Sequence, residues 1–274
     1  MVQKNILASI LINNYNNKIF FKECIKSCLK QSYENIEIIV FDDASNDGAE
    51  KYLKNIKNKK IKKILNHRKI SNSGAINQLN AIQKAFLKSR GEVIFLLDGD
   101  DVFLKNKVRY FISIFEKNKS LEFTQDNPIY YYPQKKLKEK KIFKSKLLTL
   151  HTWPYFNPTS TMIFRRNFLK KLLNEINFSK TKYQKMFFDA RAFIYIYFFS
   201  KNFTVSNKYL TLYTQNIKGD TIKNYASKNF LWWQRRQEYH KFVENLFFRK
   251  KKKHFKLLDY YLTLLINWFY QKFN

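Results

Sequence analysis

The sequence predicts an α/β fold: a mostly parallel central sheet flanked by helices, with a helical C-terminal extension. Three observations carry that expectation. Short continuous apolar runs of buried-strand length alternate with longer segments whose apolar residues recur at helical spacing. Two of those runs end in acidic turns. The composition, 45% hydrophobic and 18% aromatic over 274 residues, is ample for a sizeable core.

Residues 6–12 are apolar enough for a buried first strand, which ends in the polar loop Asn13-Asn14-Tyr15-Asn16-Asn17. Between residues 20 and 29, Phe21, Cys24, Ile25, Cys28 and Leu29 share one helical face. Residues 36–41 form a second strand run, closed by Asp42-Asp43-Ala44-Ser45-Asn46-Asp47-Gly48. A helix is expected over 49–56 and a short third strand over 61–65. The loop Ser71-Asn72-Ser73-Gly74 then opens a long helix that runs to about Ser89 and is closed by Gly91. Residues 93–97 are the fourth strand, 108–115 a helix, 130–136 a mixed loop and 209–213 a strand. Strand–helix alternation implies right-handed crossovers, which put the ends of these strands on one sheet edge, where open α/β sheets bind ligands.

The fourth strand ends in Asp98-Gly99-Asp100-Asp101. A chain with 52 basic and only 21 acidic residues concentrates three carboxylates at one strand end. Such a cluster is self-repelling unless a cation joins it, and hard oxygen ligands suit Mg²⁺ or Mn²⁺ completed by substrate phosphate. Gly99 lets backbone approach a ligand closely. Asp and Gly are also ordinary turn residues, so a plain strand-end turn is the competing reading. The five glycines, at 48, 74, 91, 99 and 219, form neither G-x-G-x-x-G nor G-x-x-x-x-G-K, which argues against a dinucleotide dehydrogenase or a P-loop enzyme.

Four segments in order and spacing, Ala8 through Asn16, Cys28 through Tyr33, Ile38 through Gly48 and Gly91 through Asp101, resemble family 2 glycosyltransferases with the GT-A fold. The similarity covers roughly residues 5–115; the family's usual proline at the end of the first strand is Asn13 here. The resemblance implies that Asn14, Tyr15 and either Asp42 or Asp43 hold the nucleotide base and ribose, with Gly74 and Asn80 contributing to the nucleotide-sugar site and Asn77 an alternative. It implies that Asp98 faces the ribose and, with Asp100, the metal and diphosphate, and that Asp101 is the usual third acid. The segment from His151 to Arg166 resembles the acceptor side. Asp189, in Met186-Phe-Phe-Asp-Ala-Arg191, matches the position of the general base, although Phe188 stands where relatives commonly carry an acid. Pairing of Asp189 with Lys185 or a nearby Arg is the structural alternative, and Glu175 the second candidate base. Relatives often carry Tyr-Arg-x-His near residues 213–216; this chain lacks that Arg and His, leaving Lys218 as a substitute on the diphosphate.

The expected organisation is a GT-A domain over 1–220, with a nucleotide-sugar half (1–115) and an acceptor half (116–220), then a basic, aromatic helical region over 221–274. The net charge of +31 invites a nucleic-acid reading. The excess is overwhelmingly Lys, however, and Lys, Asn, Ile, Phe and Tyr are enriched together, as an AT-biased gene produces. No nucleic-acid partner is expected. Cys24 and Cys28 read as small core residues, and four scattered histidines show no metal-ligand spacing. No apolar run reaches the roughly 18 residues of a spanning helix, and residues 1–5 lack a signal-peptide pattern, so a cytoplasmic location is expected. The tail joins Arg249-Lys-Lys-Lys-Lys-His254 to a helix rich in Leu, Tyr, Trp and Phe. Peripheral contact with the inner face of the plasma membrane and docking on the domain or a second subunit both stand.

The functional expectation is a metal-dependent, inverting, hexosyltransferase-like enzyme moving one sugar from a nucleotide-diphosphate donor, a UDP-sugar first, to a glycan or lipid-linked acceptor in surface-glycan synthesis. A sugar nucleotidyltransferase would need a Gly-rich loop where Asn13–Asn17 stands. A basic nucleic-acid-binding protein is the alternative from another class.

Overall fold

The computed structural model describes residues 5–140, 157–200, 202–215 and 230–273. The first half alternates as its apolar pattern dictates: β1 (Ala8–Asn14), α1 (Lys18–Leu29), β2 (Ile36–Asp43), α2 (Ala49–Asn55), β3 (Ile61–Asn66), α3 (Gly74–Lys88) and β4 (Val93–Asp98). There follow β5 (Val102–Phe103), α4 (Lys107–Lys117), β6 (Phe123–Tyr132), β7 (Leu137–Lys140), β8 (Met162–Arg165), α5 (Arg166–Ile176), α6 (Phe188–Phe199) and β9 (Phe203–Thr214). Two helices close the chain, α7 (Phe230–Arg249) and α8 (Leu258–Phe273).

Among the described residues nine strands form one sheet in the order β3-β2-β1-β4-β8-β6-β9-β5, with β7 paired to β6. β3, β2, β1 and β4 are parallel throughout. Beyond β4 the sheet is mixed: β8 runs antiparallel to both β4 and β6, while β9 is parallel to β6. The parallel expectation therefore holds for β1 to β4, and beyond them β8 runs back between β4 and β6.

Period-two alternation sends successive strand residues to two separate cores. Leu11, Ile39, Ile94 and Leu96 meet α3, α5, α6 and α7 on one face. Ile10, Ile12, Ile38, Val40, Phe95 and Leu97 meet α1, α2 and α4 on the other. Strands covered on both faces have no reason to alternate polar with apolar, which is why they read as continuous apolar runs. Cys24 and Cys28 are buried, unpaired and part of the second core. Phe242, Val243 and Leu246 of α7 belong to the first, so the start of the C-terminal region is core.

Two sequence expectations are corrected. Tyr130, Tyr131 and Tyr132 are not loop but the end of β6, paired with β7 and β9, as suits aromatic residues in a strand; Pro133 ends that run. β9 begins at Phe203 rather than 209, because residues 203–205 pair with 123–125 before a register shift.

Gly91 is where α3 returns to the sheet. Its N–H donates to Ser9 Oγ (2.8 Å) and Glu37 Oε1 (3.0 Å), and Ser9 Oγ donates to the same glutamate at 2.7 Å. A Cβ there would meet Ser9 Oγ, stand 2.6 Å from Ser9 N and 2.8 Å from Leu7 O. Two of these are backbone atoms, one in β1 and one in the residue just before it, and cannot yield. Gly91→Ala is expected to destabilise the protein by roughly 2–3 kcal/mol, read as a lower denaturant midpoint at unchanged m.

Candidate active site

The parallel register brings polar strand ends together: Asn14 lies beside Asp42, Asn13 beside Asp98 and Asp43 beside Asn66. Asn14 is buried and donates to Asp42 Oδ2 at 2.7 Å. Asp42 also accepts Ser45 N–H (3.0 Å) and Ser45 O–H (2.8 Å), so it is the hub of its own turn. Asp43 accepts from Asn66 Nδ2 at 2.7 Å; burial raises its pKa, opposed by that bond and by the charge of Lys69. Gly99 leaves room for Asn14: a Cβ at 99 would overlap the asparagine's amide oxygen and lie 3.1 Å from its Cβ and Cγ.

Beside these strand ends lies an open cleft of ≈ 560 Å³, lined by residues including Tyr15, Ala44, Arg68, Lys69, Ser71 and Asn72. Tyr15 is 42% exposed, and the Lys69 ammonium sits 3.0 Å from its ring centre. The ammonium covers one face of the ring, and with Arg68 it makes the cleft suited to a flat ring next to an anionic group.

The acids after β4 divide in two. Asp98 and Asp100 are recessed yet keep solvent contact. Burial, then the Asp100 charge, raises the Asp98 pKa to about 7, and burial raises Asp100 to about 6. Asp101 is fully buried. Ser160 Oγ donates to its Oδ2, and Thr214 N–H donates to its Oδ1 at 2.7 Å. The third acid of the motif thus ties the β4 turn to the 159–161 turn and to β9, with neither oxygen turned outward. The Ser160 turn is held in place by Lys107, fully buried, which donates to Ser160 O (2.8 Å) and Asp126 Oδ1 (2.7 Å).

A glutamine that the sequence analysis did not single out joins the two halves. Gln78 Nε2 donates to Asp98 Oδ1 (3.2 Å), while Phe188 N–H at the start of α6 donates to Gln78 Oε1 (3.0 Å). Asn13 Nδ2 donates to the same Asp98 oxygen. Gln78 falls on the stripe that Ala75, Leu79 and Ile82 bury, and a polar residue at a core-facing helical position was the available signal. Of the α3 residues that were singled out, Gly74 is the first residue of the helix after its Ser73 cap. Asn77 is tied back to Ser71 through both amide atoms, and Asn80 is buried on the helix.

Asp189 lies in the first turn of α6, half-buried, and its charge contributes to raising the Asp98 pKa. Its own pKa is raised by burial, opposed first by the charge of Arg235 on α7 and then by the Ala190 N–H it accepts at 2.7 Å. Of the cations near it in sequence, Lys185 and Arg191 are engaged elsewhere, and the arginine whose charge reaches it is Arg235 of α7. Lys185 lies 3.9 Å from Glu238, and the buried Arg191 donates to the backbone oxygens of Ser179, Met186 and Tyr183. Phe188, at the position where an acid is common, packs against Phe164 in the core. Glu175 is paired with Lys250. Tyr213 of β9 was also missed: burial and then the charges of Asp101, Asp189, Asp100 and Asp98 push its hydroxyl pKa up, which sets it among the acids. Lys218 and residues 151–156 of the acceptor segment lie outside the described residues.

The site fits a divalent cation. Among the described residues no three His, Cys, Asp or Glu side chains converge to hold an ion alone. Asp98 and Asp100 offer two recessed carboxylates whose pKa values are raised chiefly by burial of the charged form, a penalty that a cation would offset, and Mg²⁺ or Mn²⁺ commonly binds one or two carboxylates and takes its remaining oxygens from substrate phosphates and water.

Residues 9–173 match the family model described as Glycosyl transferase family 2. The UDP-Glc:alpha-D-GlcNAc-diphosphoundecaprenol beta-1,3-glucosyltransferase WfaP of Escherichia coli is 34% identical over 139 residues, 51% of each chain. The first curated relatives matched are spanned over about half of their length or less. The fold is shared with S. aureus TarS 1–349 in complex with UDP-GlcNAc (TM-score 0.60, 16% identity, 88% of this chain and 67% of that one). It is shared too with the mannosyltransferase PcManGT of Pyrobaculum calidifontis in complex with GDP-Man and Mn²⁺ (TM-score 0.57, 11% identity, 88% and 64%).

Proposed function

The chain belongs to glycosyl transferase family 2, and from that premise we propose that it transfers a single sugar, with inversion, from a nucleotide-diphosphate sugar to an acceptor hydroxyl. One observation carries the reading: a single glutamine amide, Gln78, joins Asp98 on the donor side to the first residues of α6, which present Asp189. Asp98 in this reading belongs with the donor, Asp189 takes the proton, and Gln78 holds the two segments that carry them together.

In this reading the base stacks on Tyr15 in the cleft, with Asp43 accepting from base or ribose and Asn14 holding the Asp42 turn in shape. Asp98 and Asp100 receive the diphosphate end, where a bound Mg²⁺ or Mn²⁺ would offset the charge developing on the leaving group. Asp189 accepts the acceptor's hydroxyl proton as that oxygen attacks the anomeric carbon from the side opposite the diphosphate. Arg235 opposes the rise that burial gives the Asp189 pKa and so favours the ionised form that accepts the proton. TarS in complex with UDP-GlcNAc supports a UDP-sugar as the first donor to try, and PcManGT with Mn²⁺ supports the cation. The diphosphoundecaprenol-linked sugar in the name of WfaP supports a lipid-linked acceptor, hence surface-glycan synthesis at the inner face of the plasma membrane.

The test is incubation with a panel of UDP- and GDP-sugars, Mn²⁺ and a GlcNAc-diphospho-lipid acceptor, reading nucleotide release and the anomeric configuration of the product. No release with any donor overturns the reading, and retention of configuration overturns inversion. Tyr15→Ala is expected to weaken nucleotide binding about tenfold or more by calorimetry with the fold unchanged, since the ring is solvent-facing. An unchanged Kd would mean the base lies elsewhere.

A further inference from the structure

Helix α8 is inside out. Its polar residues Asp259, Thr263 and Asn267, spaced four apart, are buried at 5%, 0% and 2% exposure. They face α7, where Arg236 donates to Asp259 Oδ2 at 2.6 Å and Trp233 O accepts from Asn267 Nδ2 at 3.0 Å. On the opposite side Leu258, Tyr261, Leu262, Leu265, Trp268 and Phe269, at i, i+3, i+4, i+7, i+10 and i+11, are all 44–57% exposed. Water does not favour that arrangement: a helix docking only to bury apolar surface would turn round. Among the described residues no helix is long and apolar enough to cross a membrane.

We propose that this face of α8 lies on an anionic phospholipid surface. Charge complementarity selects that occupant. Lys251, Lys252, Lys253 and Lys256 stand exposed immediately before the helix and Lys272 near its end, with Phe248 and Phe255, each more than 80% exposed, among them. Lysines with a Trp, Tyr, Phe and Leu stripe are the composition of an interfacial helix, rings at headgroup depth and ammonium groups among the phosphates. The Arg236–Asp259 pair, with Asp259 buried, fixes the helix so that the apolar side faces outward before any contact is made. The other side of α8 packs on α7, the helix that carries Arg235 towards Asp189, so a bilayer under α8 lies one helix away from the acids. The surface stands on its own and does not rest on the sugar-transfer reading.

The experiment is co-sedimentation of the full chain with vesicles of phosphatidylcholine alone and of phosphatidylcholine with phosphatidylglycerol, at low and high salt, with light scattering of the free protein. The chain should bind the phosphatidylglycerol vesicles, and release them as salt rises. Leu265→Asp with Trp268→Asp should lower partitioning at least tenfold while far-UV circular dichroism and nucleotide binding stay unchanged. Replacing Lys251, Lys252 and Lys253 by Gln should lower it about fivefold per residue. Indifference of the wild type to anionic vesicles at low salt overturns the proposal. So does unchanged binding by the Leu265/Trp268 variant, or a dimer that those substitutions split in a protein that ignores vesicles, which would assign the face to a second copy.

Discussion

Asp189→Asn is expected to lower turnover by about 10²–10⁴-fold while leaving the Kd for the nucleotide sugar within about twofold. The amide keeps the volume and can still accept the Ala190 N–H bond that Asp189 makes at 2.7 Å, so α6 should keep its first turn. What it cannot do is take a proton. Because Asp189 is raised by burial, the acidic limb of kcat/KM should lie above the usual carboxylate range, with the active, ionised form present above it. Arg235 opposes that rise, so Arg235→Ala should move the limb further up, an effect a merely structural arginine would not have. The variant has a second signature: the Asp189 charge raises Asp98, so its removal should let Asp98 ionise at lower pH and leave cation affinity undiminished. Single-turnover rates and calorimetry separate the two. Turnover within a few-fold of wild type would remove Asp189 from the chemistry.

The parallel part of the sheet, β1 to β4, was legible because the constraints on it are local. A strand buried on both faces must be apolar throughout, and the strand must stop where ligand begins, so Val93–Asp98 announces its place and its edge in one stretch. Asp101 shows where reading stops. In sequence it is indistinguishable from Asp98 and Asp100, and only Ser160 and Thr214, 59 and 113 residues away, turn it inward. Gln78 and Tyr213 were missed for the same reason: their partners lie on distant elements. Helix α8 was legible as amphipathic but not as to which side faces out. That depends on Arg236, a partly buried cation on another helix that draws Asp259 inward, and no periodicity within α8 reports it.

Asp100→Asn should abolish detectable transfer and the metal-dependent part of nucleotide binding, yet make the metal-free protein more stable. Two half-buried carboxylates at one strand end have pKa values of about 7 and about 6, well above those of an unfolded chain. A group raised in the folded state favours folding while it is protonated, and that contribution is lost as pH rises through the folded value. The metal-free wild type should therefore lose stability from this site between about pH 4 and pH 7 and change little from it above. Asn at position 100 removes one of the two charges. The expected gain at pH 8 is on the order of 1–2 kcal/mol, since one pKa unit is about 1.4 kcal/mol and the site keeps an open side. Mn²⁺ should stabilise the wild type by mass action and the variant far less. Melting curves at pH 5 and pH 8, with and without Mn²⁺, read all of this without any substrate. A variant no more stable than wild type at pH 8, or equally stabilised by Mn²⁺, would show that Asp100 is not a ligand. A variant that still transferred sugar would remove it from the reaction as well.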